Sequence, residues 1–374
     1  MKGGIVRRGK TWTYVLRERD PRTGKTRARW VGGFAKQGDA KAAQAEARAA
    51  QVKGTYVAPS QLTVGQWLET WIRGHEVELK PSTARSYRAN IDRYLMPALG
   101  HERLQHLSPA SLSVVFRDLY EHGGHNGKPL SPRTVEFARA VLRRALNDAV
   151  LERAITVNPV TGTKRPRVVK PKHQTWTAAQ LAAYLAAGAG PYSPAFALAA
   201  ATGMRRGEVL ALRWDDVDLT SRVLHVDRSV TVIDGRRVYT APKNHERRHL
   251  TLDGRTAAML RALRVEQSRT RLAAPSWADD EGLVFVDHTG VPLHPDRVSK
   301  EFVRSQAGTG LPRLKLHELR HTHATLLLRE GVPVHVVAKR LGHKDPSVTL
   351  SVYADAIPED DGRAVDVFTS AVFG

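Results

Sequence analysis

Apolar and polar residues alternate along the first part of the chain. Thr11–Arg19 (TWTYVLRER) has a period of two and is rich in β-formers. Asp20–Lys25 (DPRTGK) supplies a turn, and Thr26–Val31 (TRARWV) a second strand. Asp39 to Val52 is alanine-rich and helical, with Asp39 as its N-cap. Beyond Pro59 the period lengthens, and Leu62 to Ile155 reads as all helix. Thr63 caps a helix whose Val64, Trp67, Leu68, Trp71 and Ile72 share one face. Pro81-Ser82 opens another, with Tyr87, Ile91, Tyr94 and Leu95 inward and Arg85, Arg88 and Arg93 outward. A third runs from Pro109 to Glu121, and Ser131-Pro132 gives the fourth an N-cap and an N1 proline. That helix buries Val135, Val141, Leu142, Leu146 and Val150 and shows Arg133, Arg139, Arg143 and Arg144. The aromatic residues here read as core.

Residues 159–175 (PVTGTKRPRVVKPKHQT) break the pattern with three prolines and five Lys/Arg against no acid, which marks an extended basic linker. Thr177 then caps a helix to Ala187, and Pro194–Ala201 is a buried helical run. Arg222–Val226 and Val230–Ile233 read as strands, with Asp234-Gly235 as a tight hairpin turn. Arg237–Ala241 is expected to pair with Arg247–Leu252 across a second turn holding Lys243. The fold class is multidomain α+β: a small N-terminal β-sheet plus helix, an all-α helical bundle, and a mixed, mainly α domain with a small antiparallel sheet. The expected boundaries are 1–57, 58–158, a linker at 159–175, and 176–374.

Composition sharpens this. A net charge of +21 over 374 residues calls for a polyanionic partner, with nucleic acid first. Residues 1–57 hold 14 Lys/Arg against 4 Asp/Glu, and a small basic sheet backed by a helix can lie in a DNA groove. The sequence has no cysteine, which excludes disulfides, thiolate metal sites and a cysteine nucleophile. The N-terminus has no apolar core of a signal peptide, and the alanine-rich stretch Leu181–Met204 is broken by Pro191 and Pro194. A cytoplasmic protein, nucleoid-associated when bound to DNA, is expected.

The chemistry concentrates between Lys315 and Tyr353. His317 and Arg320 lie three residues apart, His343 follows Gly342, and Tyr353 lies ten residues beyond. Guanidinium forks hold phosphate oxygens, imidazole moves a proton, and a phenol can be a nucleophile. The same stretch contains HELRH, the pattern of a zinc metalloprotease helix. Ala324 and Leu327 stand where the longer zinc motif needs Gly and His, and Glu330 is too close to return as a third ligand on the same helix.

Upstream, TGMRRGEVLALRWDDVD contributes Arg205 and APKNHERRHLTL a hairpin lysine. With HELRH, LGH and Tyr353, these boxes resemble in order and spacing the tyrosine recombinase (phage integrase) family. The nearest likeness is to integrases of actinobacterial phages and integrative plasmids. The resemblance implies an arm-type DNA-binding domain at 1–57, a core-type one at 58–158, and a catalytic domain at 176–374. Arg205 and Arg320 would grip the scissile phosphate, Lys243 would protonate the leaving 5′-oxygen, and His343 would bond a phosphate oxygen. His317 would take the Tyr353 proton or orient its hydroxyl. Tyr353 would form a 3′-phosphotyrosine, with no cofactor, ATP or metal. Glu208 and His321 would support the set, and Val365, Val367 and Phe368 of the tail would pack on a neighbouring protomer. The partners implied are double-stranded attachment-site DNA, a homotetramer, an excision factor and a DNA-bending host protein.

Candidate DNA contacts are Arg7, Arg8, Arg17, Arg27, Arg29, Arg85, Arg88, Arg139, Arg143, Lys164, Arg165, Arg167 and Lys170. Two neighbouring readings stay open on these residues: a type IB topoisomerase-like enzyme, and a DNA-binding regulator that keeps the fold without the chemistry. Either DNA-binding reading implies steep salt dependence. With about ten phosphates neutralised per protomer, log K falls against log[salt] with a slope of about −9, measurable by a binding titration at several salt concentrations.

Overall fold

The computed structural model describes residues 4–19, 25–168, 173–188, 190–241, 247–279, 281–353 and 361–373. It divides into two units, Met1–Val169 and Lys170–Gly374.

In the first unit, β1 (Ile5–Arg8), β2 (Thr11–Arg19) and β3 (Thr26–Phe34) form an antiparallel sheet in that order. Alternation turns Tyr14 and Leu16 inward, where they pack with Ala47 of α1 (Gln37–Val52). Arg7, Arg8, Arg17 and Arg27 stay exposed, while half-buried Arg29 donates to the Pro59 carbonyl. Helix α1 starts two residues before Asp39, which falls in its first turn, with Lys36 at the N-cap. A carboxylate there still complements the helix dipole.

Five helices follow: α2 (Val64–His75), α3 (Pro81–Asn90), α4 (Met96–Leu99), α5 (Pro109–His122) and α6 (Pro132–Leu151). Thr63 and Gln66 form a capping box at the start of α2, and the Ser131 side chain caps α6. The expected apolar faces close on one core from Val64 to Val160. Trp67 and Trp71 belong to it, their indole N–H groups donating to the Ala145 carbonyl at 2.9 Å and to Asp148 at 2.7 Å. A wider turn over Ile91–Leu95 joins α3 to α4.

Two arginines differ from expectation. Arg139, expected outward, is 3% exposed; its Nε donates to Thr163 Oγ1 at 2.9 Å and its Nη2 to the Val160 carbonyl at 3.2 Å. It pins the chain after α6 and cannot also reach a phosphate. Arg88 is half-buried, donating to Glu69 at 2.7 Å and Glu76 at 3.0 Å, so its charge is already matched within the protein. Arg85, Arg143, Lys164, Arg165 and Arg167 remain exposed, and Lys170 lies outside the described residues.

The second unit is built on α7 (Ala178–Ala187), α8 (Ser193–Thr202) and the short α9 (Arg206–Val209). Then come β4 (Val217–Asp218), β5 (Val223–Val226), β6 (Ser229–Ile233), β7 (Arg236–Thr240) and β8 (Arg248–Thr251). Helices α10 (Gly254–Ala273), α11 (Pro295–Arg304), α12 (Glu318–Arg329), α13 (Val334–Leu341), α14 (Pro346–Tyr353) and α15 (Asp361–Phe373) complete it. Thr177 caps α7 through a capping box with Gln180.

The strand pairing departs from expectation. Asp234 and Gly235, both at positive φ, fold β7 back onto β6, Ser229 opposite Thr240. Strand β8 instead extends the sheet β4-β5-β8, with Leu224 opposite Leu250. Burying Leu224, Val226 and Leu250 in one core decides the partner, because a strand's side chains point to one face only every second residue. Lys243 lies among residues 242–246, outside the described residues. The tail residues Val365, Val367 and Phe368 are exposed on α15. Among the described residues, no helix is long and apolar enough to cross a membrane.

Arg139→Ala is expected to destabilise the first unit by about 1–3 kcal/mol, because it removes the donors to the buried Thr163 hydroxyl and carbonyl. Denaturant midpoints of wild type and variant check this.

Candidate active site

A sharp turn follows α8. Gly203 sits at φ 66°, and a Cβ there would lie 2.7 Å from Leu341 and 2.8 Å from His323, so the backbone approach requires glycine. Arg205 occupies the N-cap of α9, where its backbone N–H and its Nη1 each donate to Glu208 at 2.9 Å. Glu208 is buried and takes a second guanidinium: Arg248 Nη2, on β8, donates to Oε2 at 2.7 Å. Arg248 Nε also donates to the Arg340 carbonyl at 3.1 Å, which ties the sheet to α13. Burial raises the Glu208 carboxyl, but the Arg248 hydrogen bond and the two guanidinium charges outweigh it and hold the group below the usual carboxylate range.

Arg320, in the first turn of α12, donates from Nη1 to the Gly203 carbonyl at 2.7 Å and from Nη2 to His343 Nε2 at 2.9 Å. Burial, then the charge of Arg205, pulls it down to about 9, so it stays protonated at neutral pH. His343 follows Gly342, whose left-handed conformation (φ 69°) ends α13. With Nε2 accepting from Arg320, the ring proton belongs on Nδ1, which lies 2.7 Å from Thr349 Oγ1. Burial and the Arg320, Arg205 and Arg248 charges hold His343 at about 4.

Tyr353 ends α14, a helix begun by Pro346 after Asp345, whose carboxylate accepts the Ser347 N–H at 2.8 Å. Its side chain is buried, and its hydroxyl lies 2.6 Å from His321 Nδ1. Burial pushes the phenol up to about 12, against the pull of Arg320. His321 stacks face to face with His173 at 3.9 Å between ring centroids, and His317 meets it edge-on at 5.1 Å. Burial, then the nearby His173, brings His321 down to about 3. His317 keeps a solvent-exposed edge; desolvation of the rest of its ring and the Arg320 and Arg205 charges lower its pKa.

The structure therefore gathers Arg205, Glu208, His317, Arg320, His321, His343 and Tyr353 in one unit. It differs in one contact: the group at the tyrosine hydroxyl is His321, and His317 meets that ring edge-on. His323 is structural, Nδ1 bonding the Ala200 carbonyl at 2.9 Å and Nε2 accepting from Arg340 at 3.1 Å. Among the described residues no three metal-ligating side chains converge, and the HELRH histidines face a tyrosine and a neighbouring ring. Arg248 was missed. Its signal is in the sequence: Arg248, Leu250 and Leu252 alternate on one face, which puts a cation on the buried side of a strand.

Residues 177–359 match the phage integrase family, residues 63–116 the N-terminal SAM-like domain of phage integrases, and residues 5–50 an arm DNA-binding domain. The "Tyrosine recombinase XerC-like" protein of Caldanaerobacter subterraneus subsp. tengcongensis is 28% identical over 327 residues, 82% of each chain. An integrase of Streptomyces ambofaciens is 27% identical over 318 residues, 81% of this chain and 79% of that one. The fold resembles that of the Tn1549 transposon integrase, solved with a circular intermediate DNA, with a TM-score of 0.67 at 20% identity over 81% of this chain and 98% of that one. It also resembles lambda integrase, solved as a tetramer on a Holliday junction, with a TM-score of 0.58 at 20% identity over 94% and 95%. These matches define an enzyme that breaks and rejoins DNA strands. The chain belongs to the phage integrase family, the tyrosine recombinases.

The site sets a pH dependence of stability. His321, His323 and His343 are neutral when folded and protonate near 6.5 when unfolded, so the unfolded state binds more protons and stability falls as pH drops from 6.5 to about 4 for His323 and His343 and to about 3 for His321. Glu208, depressed below 4.5, adds a further loss at still lower pH. Glu208→Ala, which strands two guanidinium groups, is expected to cost about 3–5 kcal/mol. Urea denaturation across pH measures both effects.

Proposed function

We propose that this chain is a site-specific recombinase that integrates or excises a mobile element by cutting and rejoining DNA at attachment sites. The observation that carries the reading is the meeting of Arg205, Arg320 and His343 around the loops at Gly203 and Gly342, with Tyr353 on the next helix.

In the proposed mechanism Tyr353 Oη attacks phosphorus, giving a 3′-phosphotyrosine and a free 5′-hydroxyl. Arg205 and Arg320 carry fixed charge and forked donors, which favour the transition state as negative charge grows on the equatorial oxygens. The Tyr353 proton passes to His321 Nδ1, 2.6 Å away, with His317 beside it as general acid/base. His343, protonated at Nε2 once Arg320 turns to the phosphate, donates to a phosphate oxygen, and Lys243 protonates the leaving 5′-oxygen. Rejoining runs the same steps in reverse with a different 5′-hydroxyl, so bond energy is conserved and neither ATP nor metal is required. Residues 1–57 take the arm-type sites, 58–158 the core-type sites, and 159–175 strap the phosphate backbone between them and the catalytic part at 176–374. Arg7, Arg8, Arg17, Arg27, Arg29, Arg85, Arg143, Lys164, Arg165, Arg167 and Lys170 are the proposed DNA contacts. The working assembly is a tetramer on two duplexes, with the tail at Val365, Val367 and Phe368 packing on a neighbouring protomer. An excision factor and a DNA-bending host protein set its direction.

A nicked "suicide" duplex carrying the attachment site tests this. Wild type is expected to form a slow-migrating, protease-sensitive adduct in EDTA, and Tyr353→Phe none. Arg205→Ala or Arg320→Ala is expected to slow adduct formation on the order of a hundred- to a thousand-fold. DNA binding by both wild type and Tyr353→Phe without any adduct would favour the regulator reading instead.

A further inference from the structure

We propose that His173 is a positioning residue for Tyr353, acting through the ring of His321, so that the basic segment leading into the second unit governs how readily the nucleophile attacks. The inference rests on Tyr353 being that nucleophile.

The geometry is specific. Among the described residues, His321 is the hydrogen-bond partner of the Tyr353 hydroxyl, at 2.6 Å. His321 is 8% exposed, in ring contact with Tyr353, met edge-on by His317, and stacked with His173 with the two planes 19° apart. His173 itself is exposed, so it is a cover and not part of the core. An imidazole is free to turn about its last side-chain torsion unless something flat lies against it. A face-to-face neighbour restricts that rotation and keeps Nδ1 aimed at the hydroxyl.

The orientation matters for attack. With its proton on Nε2, His321 accepts the phenolic O–H at Nδ1, which turns that proton aside and leaves an oxygen lone pair free for phosphorus. Protonated His321 cannot accept. The groups facing it are His173 from the entering segment, His317 and Arg320 from α12, His343 between α13 and α14, and Tyr353 from α14. Burial of His321, and then each of these basic groups, opposes a charge on it. His173 belongs to the stretch 159–175, whose five Lys/Arg and absence of acids suit a phosphate backbone. DNA that takes hold of this stretch therefore acts on a side chain that touches the tyrosine's partner.

The test uses the full-length protein and a saturating suicide duplex, with the first-order rate of adduct formation read between about pH 5.5 and 8.5 and Kd measured separately. His173→Ala is expected to slow adduct formation on the order of tenfold to a hundredfold, as expected for a small misplacement of reacting atoms. Kd should stay within about twofold. The loss should deepen towards low pH, because an uncovered His321 protonates closer to its ordinary 6.5. His173→Phe keeps the flat stack and should recover most of the rate. A wild-type rate and pH profile in His173→Ala overturns the proposal, as does equal slowing in both variants with an unshifted profile. Absence of an adduct from wild type overturns this inference and the assignment of Tyr353 together; an adduct indifferent to His173 overturns this one alone.

Discussion

Like charges do not gather in a protein interior without a counter-charge, and the second unit meets this requirement at Glu208. One buried carboxylate receives Arg205 and Arg248, at 2.9 Å and 2.7 Å. Removing a partner from such a group leaves an uncompensated charge, so the three residues form a unit. They also join separate elements. Arg205 heads α9, Arg248 lies on β8, and Arg248 reaches the backbone of α13 at Arg340. Through this carboxylate the strand, the turn after α8 and the helix before His343 are held in one arrangement, and a phosphate site can be assembled between them.

Backbone carbonyls do the remaining positioning. The Gly203 carbonyl accepts from Arg320 and fixes it, and Arg320 in turn selects the tautomer of His343. Around this cationic set the imidazoles remain neutral and the phenol remains protonated, since burial and like charge both oppose ionised histidine. The resting site is thus electrically poised for an incoming anion: fixed guanidinium charge is already in place, while the groups that exchange protons have not yet done so. A phosphodiester would offset part of this positive field and favour proton uptake by the histidines.

Elements with local signals were legible in the chain. Thr63, Ser131 and Thr177 cap the helices they were expected to cap, and Asp234-Gly235 makes its tight turn. The candidate site was legible because its residue types sit in short, ordered boxes. Placement of individual cations was harder. Arg139 and Arg143 lie four apart on α6, one buried against Thr163 and one exposed, and their sequence surroundings do not separate them. Arg88 reads as a surface cation until Glu69 and Glu76 are brought beside it. For β8 the nearest strand along the chain is the hairpin choice, whereas the common core rewards pairing with β5.

The capped helices, the Asp234-Gly235 turn, the basic balance and the inventory of Arg, His and Tyr follow from composition or from neighbours a few residues away. Tertiary structure decided which of those groups meet. His321 touches Tyr353 across 32 residues, Arg320 meets Gly203 across 117, and Glu208 joins Arg248 across 40. The physical reason is that hydrogen bonds and ion pairs of this kind act over about 3 Å, and which distant residues come within that range is set by how the helices and strands pack their apolar faces.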